Sequence, residues 1–174
     1  MTSRPNIALR PAQPADDPFL RAVYADTRSQ ELAPVPWTDA QKRAFLDQQF
    51  DAQRTHYALH HREATHDVVL VDGRPCGRLI VLRTRGEVRI VDISLLTEFR
   101  GRGIGTALLA PILAAADEDG MVVSIHVEHL NPAVTLYRRL GFAPAGDAGV
   151  HVLMERRPLV QPVADRETEV TAHR

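Results

Sequence analysis

Apolar residues follow a helical period in the first third of the chain and mostly a strand period beyond it. Ile7–Arg10 reads as a short strand, stopped by Pro11 and Pro14. Asp16 or Asp17 can cap a helix with Pro18 in its first turn, and Phe19, Leu20, Val23 and Tyr24 give it an apolar face. Ala33-Pro34-Val35-Pro36-Trp37 predicts an extended linker, because each proline restricts the residue before it. Thr38 or Asp39 then caps a longer helix, along which Leu46, Phe50, Gln53 and Tyr57 recur at helical spacing. From Asp67 the period shortens. Asp67–Val71 is a strand, Asp72-Gly73 a turn, Gly77–Arg83 a second strand, and Arg85-Gly86 turns into a third at Val88–Leu96. Residues 104–116 form an apolar helix ended by Gly120, and Met121–Val127 is a strand rich in β-branched residues. Pro132–Leu140 is a short helix closed by Gly141, with strands near Phe142 and at Val150–Glu155 after it. Hairpins followed by two strand–helix–strand crossovers predict an α/β domain, a mixed sheet covered by helices.

A chain of 174 residues has room for one such domain and not comfortably for two. Residues 1–6 predict a flexible N-terminus and 7–157 the domain. The Pro-containing, charged stretch 158–174 predicts a disordered tail. Formal net charge is -1, which gives no general pull toward nucleic acid or a membrane surface. Cys76 is the only cysteine, so no internal disulfide forms. No stretch approaches the roughly 18 apolar residues of a membrane helix, and the N-terminus lacks the apolar run of a signal peptide. The expectation is a cytoplasmic protein, monomer or homodimer.

Chemistry concentrates in Leu95-Leu96-Thr97-Glu98-Phe99-Arg100-Gly101-Arg102-Gly103-Ile104-Gly105-Thr106. A strand ends, glycines alternate, and an apolar helix begins. Backbone N–H groups that no Cβ shields, at the positive end of a helix dipole, suit a phosphate or pyrophosphate. A Walker loop is excluded because no Gly-Lys-Ser/Thr follows, and the dinucleotide fingerprint fails at Thr106. A tight turn that uses glycine only for packing is the bland alternative.

Arg100-x-x-Gly103-x-Gly105 after an apolar strand resembles the acetyl-CoA pyrophosphate loop of the GNAT N-acetyltransferase superfamily. Downstream, His126-Val127-Glu128-His129-Leu130-Asn131 is similar to that family's next strand and its asparagine. Ala133-Val134-Thr135-Leu136-Tyr137-Arg138-Arg139-Leu140-Gly141-Phe142 matches its A-x-x-L-Y-x-x-x-G-F signature, and Ile7–Ala12 looks like its first strand. Asn131 stands six residues before Tyr137, one fewer than is usual in the family. The resemblance implies a single domain with a mainly antiparallel mixed sheet flanked by helices. It also implies an acetyl-CoA-dependent transfer of an acetyl group directly to the amine of a small molecule, amino acid or peptide, with no metal.

It further implies that backbone groups of Leu95 and Thr97 pair with the pantetheine arm. The amides of residues 101–106 (Gly101, Arg102, Gly103, Gly105 and Thr106 among them) would hold the pyrophosphate, with Arg100 or Arg102 as charge partners and Asn131 nearby. A strand bulge would aim the Ile93 N–H at the acetyl oxygen. Tyr137 stands at the family's acid position, where a phenol can protonate a departing thiolate; its plain alternative is a buried tyrosine anchoring a helix. The amine needs a base, for which Asp92 is the first candidate and Glu128 or His126 are rivals. Where some relatives carry a strand glutamate this chain has Arg89, which cannot accept a proton. Trp37, Gln49 and Gln53 are the candidate acceptor-binding residues, because amides interrupt the apolar face of the long helix. His56 and His60 stand four apart on that helix, which suits zinc or, without a third ligand, a solvated face. Two other functions remain open: a non-catalytic acyl-CoA sensor on the same fold, and a phosphate or nucleotide binder unrelated to acyl transfer.

Overall fold

A computed structural model describes residues 4–159 of the chain. Residues 1–3 and 160–174, which hold much of the predicted N-terminal segment and tail, lie outside the described residues. Strand β1 (Ile7–Pro11) leads through a short 3-10 turn into helices α1 (Asp17–Leu32) and α2 (Asp39–His60). Strands β2 (Thr65–Val71), β3 (Arg74–Arg83) and β4 (Glu87–Leu95) form a meander. Helix α3 (Ile104–Glu118), strand β5 (Val122–Glu128), helix α4 (Ala133–Arg139) and strands β6 (Ala143–Ala148) and β7 (His151–Arg156) complete the chain.

The strands make one seven-stranded sheet in the order β1-β2-β3-β4-β5-β7-β6, antiparallel throughout except for the central β4–β5 pair. Alternation along β3 sorts the two faces. Leu79 and Val81 join the main core with Phe99, Ile104, Leu108, Leu109, Ile112 and Leu113 of the α3 side. Arg78, next to Leu79 and of the opposite phase, turns the other way and meets Gln53 of α2. Helices α1 and α2 cover that second face around a smaller cluster of Tyr24, Leu46 and Phe50. On α3 the buried positions Ile104, Leu108, Ile112 and Ala116 recur every four residues, the stripe expected of a helix on a sheet. Pro111 lies inside that helix, but on its exposed side, where water can reach the carbonyl it leaves unpaired.

Local signals explain most boundaries. Thr38 caps α2 by accepting from the Gln41 N–H at 3.2 Å, and the Gln41 side chain returns a bond to the Thr38 N–H at 2.9 Å. Asp72 and Gly73, at φ 50° and 79°, make the hairpin turn between β2 and β3. The linker before α2 departs from the expected extended form. Ala33 keeps helical angles (φ -53°, ψ -47°), the Val35 N–H donates to the Leu32 carbonyl at 3.1 Å, and the Trp37 N–H to that of Val35 at 2.8 Å. The prolines disfavour continuation of the helix without forbidding a turn, and the seating of α2 beside α1 selects the turn. Among the described residues no helix is long and apolar enough to cross a membrane.

Candidate active site

The sheet opens at its centre. Strands β4 and β5 pair only from Glu87/Val122 to Ile90/Ile125, and beyond that neither strand partners the other. The cause is visible in β4. Its register against β3 shifts between Ile90 and Asp92, leaving Val91 as an extra residue, a bulge that bends the strand away. Past the bulge, the Leu96 N–H donates to the Cys76 carbonyl of β3 at 2.8 Å. Backbone groups alternate sides along a strand, so those of Ile93 and Leu95 point away from β3 and into the opening. A free strand edge thus faces a wedge-shaped slot, which an extended ligand can enter as an added strand.

The loop expected to hold an anion lies at the end of this edge. After the 3-10 turn Thr97–Phe99, Gly101 and Gly103 take positive φ of 69° and 76°, which favour glycine. Gly103 is the N-cap of α3 and has no side chain to cap it, so the first N–H groups of the helix remain for a ligand. Gly105 has a different task. A Cβ there would stand 3.2 Å from Leu136 Cδ2, so glycine lets α4 approach α3.

Two cofactor assignments meet unexpected partners. Asp26 of α1 accepts from both the Thr97 N–H (2.7 Å) and the Thr97 hydroxyl (2.8 Å), so the Thr97 amide is engaged within the protein. Arg100 donates through Nε to the Leu95 carbonyl at 2.8 Å and through Nη2 to Asp26 at 3.2 Å, which turns it back along the strand. Arg102 is exposed, its guanidinium 5.8 Å from the centre of the Phe99 ring. Asn131 accepts from the Ala133 N–H at 2.9 Å and so caps α4.

Tyr137, on α4, is 4% exposed and packs edge-on against Phe142 at 5.8 Å between ring centres. Burial, and after it the nearby Asp92 carboxylate, push its phenol pKa upward, so the hydroxyl keeps its proton through the neutral range. Asp92 is itself engaged on both oxygens. Oδ2 accepts from Arg78 Nε at 2.5 Å, and Oδ1 from the Ser94 hydroxyl at 2.8 Å. Arg78, 7% exposed, also reaches Gln53 Oε1 at 2.5 Å, which makes Gln53 a partner of the buried ion pair. Glu128, at the end of β5, is half-exposed and among the described residues has only distant charged partners, Arg28 at 4.0 Å and His151 at 3.8 Å.

Tyr57 of α2 is drawn into the same region. Burial first, then Asp92, push its pKa up to about 12, against the opposing charges of Arg78 and Arg28. Trp37 is 41% exposed and packs on Phe45, and Gln49 faces solvent. His56 and His60 stack at 4.4 Å, and no group of three His, Cys, Asp or Glu side chains among the described residues could hold a metal ion. Sequence reasoning missed Asp26, Arg28 and Arg78. A charge in the middle of the apolar run Cys76–Leu82 was a signal for Arg78, since a buried charge demands a partner. Asp26 gave none, because its partner Thr97 is 71 residues away.

The family model for the acetyltransferase (GNAT) family matches residues 21–142. Among solved structures, the PaiA N-acetyltransferase of Thermoplasma acidophilum, in complex with coenzyme A, superposes with a TM-score of 0.67 at 14% identity, over 87% of this chain and 99% of that one. A GCN5-related N-acetyltransferase of Rhodopseudomonas palustris gives 0.64 at 19% identity, over 90% and 98%. The ribosomal-protein-S18-alanine N-acetyltransferase of Escherichia coli gives 0.59 at 16% identity, over 92% and 98%. At these identities the likeness is one of fold. No curated protein matches the chain.

Proposed function

The chain belongs to the GNAT acetyltransferase family, and from that premise we propose that it moves an acetyl group from acetyl-CoA directly to the amine of a small molecule or peptide. The observation that carries this reading is the slot between β4 and β5, with a free strand edge along it and the uncapped α3 N-terminus at its end. The donor supplies an activated thioester. Ile93 and the Leu95 N–H offer backbone groups to its pantetheine arm, the Leu95 carbonyl being shared with Arg100 Nε, and the amides of residues 101–106 together with Arg102 offer donors to its pyrophosphate. Thr97 joins them only if Asp26 lets go of its amide.

On this reading the Ile93 N–H, just past the bulge, polarises the acetyl carbonyl. Tyr137 gives its proton to the departing thiolate, a role that suits a phenol held protonated by its surroundings. Of the candidate carboxylate bases Glu128 is the freer, because Arg78 and Ser94 occupy the oxygens of Asp92, and His126 on the same strand stays a rival. Asp92 then serves to neutralise Arg78 and to hold the β4 edge in place. No acyl-enzyme is invoked: the only thiol, Cys76, is fully buried, and burial raises its pKa away from the reactive thiolate. A cytoplasmic setting belongs to the same proposal.

Calorimetry on Gly103→Glu tests the reading. The variant puts a side chain and a negative charge at the α3 N-terminus, and acetyl-CoA affinity should fall by at least about tenfold. Wild-type affinity in a folded variant would remove the loop from the cofactor site. Release of CoA in the presence of an amine separates the enzyme from a sensor that only binds acetyl-CoA.

A further inference from the structure

Arg28 stands apart from the arginines that pair on this molecule. Arg10 meets Asp16 at 2.7 Å, Arg21 meets Asp17 at 2.7 Å, Arg78 Nε meets Asp92 at 2.5 Å, and Arg156 grips Asp117 at 2.8 and 2.9 Å. Arg28 reaches Glu31 only at 3.4 Å and Glu128 at 4.0 Å, both through Nη1. Its Nε is buried with no hydrogen-bond partner. The part of the guanidinium that a ligand can reach is its Nη1/Nη2 end, on a side chain 33% exposed, where no described acidic residue makes the two parallel bonds of a close carboxylate pair.

The side chain is also held in place. Its guanidinium lies 4.9 Å from the centre of the Tyr24 ring, and Tyr24 is buried edge-on against Phe50. A donor fork fixed before the ligand arrives loses little freedom on binding. Glu128, 4.0 Å from Arg28, ends the strand that forms one wall of the slot.

We propose that Arg28 receives the carboxylate of the acceptor, and that the acceptor is a free α-amino acid whose amine faces Glu128. In an α-amino acid a single carbon joins amine and carboxylate, so its two groups need a cation and a carboxylate side by side. Arg28 and Glu128 are such a pair, close but not closed on each other. Polyamines lack the anion, and a peptide N-terminus offers an uncharged amide in its place. The proposal rests on the acyl-transfer reading above.

The test compares the standard L-amino acids with their α-carboxamides and with short peptides, using the full chain and acetyl-CoA, and following CoA release and the N-acetyl product by mass. At least one acid should exceed its own amide by about tenfold or more in kcat/KM. Arg28→Gln should cut that acid's kcat/KM by about 10–100-fold and collapse the acid-to-amide ratio, with the KM for acetyl-CoA nearly unchanged. Arg28→Lys, which keeps the charge but not the fork, should recover part of the loss. An unchanged acetyl-CoA KM also shows that the variants are folded. If amides or peptides are acetylated as well as acids, or if Arg28→Gln leaves the acid-to-amide ratio unmoved, the carboxylate assignment is wrong and the transferase reading survives. If no amine in the panel is acetylated, the amino-acid assignment falls, and the transferase reading falls with it if Gly103→Glu also leaves acetyl-CoA affinity unchanged.

Discussion

Single residues set the protonation chemistry. Tyr137 is buried and lies near Asp92, so its phenol titrates above the ordinary tyrosine range and remains a proton donor at neutral pH. Tyr137→Phe removes only the hydroxyl, and kcat should fall roughly 10–1000-fold, with acetyl-CoA affinity little changed. Steady-state kinetics check this, and the alkaline limb of the wild-type profile should show no Tyr137 ionisation below about pH 10. Asp16 gives a stability counterpart. Hydrogen bonds from Arg10, then from the Gln13 N–H, hold its pKa down to about 2, against an ordinary 3.8. A depressed carboxylate stabilises the fold above its unfolded pKa, and that contribution is lost as pH falls toward the folded one. Thermal melts of wild type and Asp16→Asn should therefore differ near neutrality and converge between about pH 4 and pH 2. A gap that stays constant over that range would mean that Asp16 does not carry the effect. Tyr137 was legible in the sequence because its motif surrounds it. The engagement of Asp92 with Arg78 and Ser94 was not, since strand alternation gives a face but not a partner.

Among elements, the approach of α4 to α3 decides where Tyr137 stands relative to the slot. Gly105 makes that approach possible, because a Cβ there would meet Leu136 at 3.2 Å. Gly105→Val adds bulk at the contact and should destabilise the fold by about 1–3 kcal/mol. Chemical denaturation measures the loss, and an unaltered midpoint would show that α4 yields without strain. The glycine itself stood out in the sequence as part of an anion loop. Its packing duty did not, because it depends on a helix 31 residues further along the chain. The β4 bulge has the same character. Its strand was readable from its apolar residues, but the extra residue at Val91 appears only when β3 fixes the register.

Across the whole molecule, β7 is tied to the far end of α3. Arg156, 6% exposed, grips Asp117 through both terminal nitrogens and donates from Nε to the Leu140 carbonyl at 3.1 Å. Arg156→Met takes the Nε donor from that carbonyl and leaves Asp117 only the Leu159 N–H at 2.9 Å, and because the pair is partly buried the fold should lose about 1–3 kcal/mol. Equilibrium unfolding would expose an error if the loss were below about 1 kcal/mol. By itself the sequence determined the order of helices and strands, the glycine loop at the head of α3 and the family to which the chain belongs. These follow from local preferences: periodic apolar residues, caps, and glycines where φ must be positive. Tertiary structure alone decided which polar groups meet. Asp26 crosses 71 residues to hold Thr97, Gln53 crosses 25 to reach Arg78, and Arg28 is left without a close carboxylate pair among the described residues. Such contacts pair groups distant along the chain, and no local pattern encodes their distance; the packing of α1 and α2 on the sheet sets it.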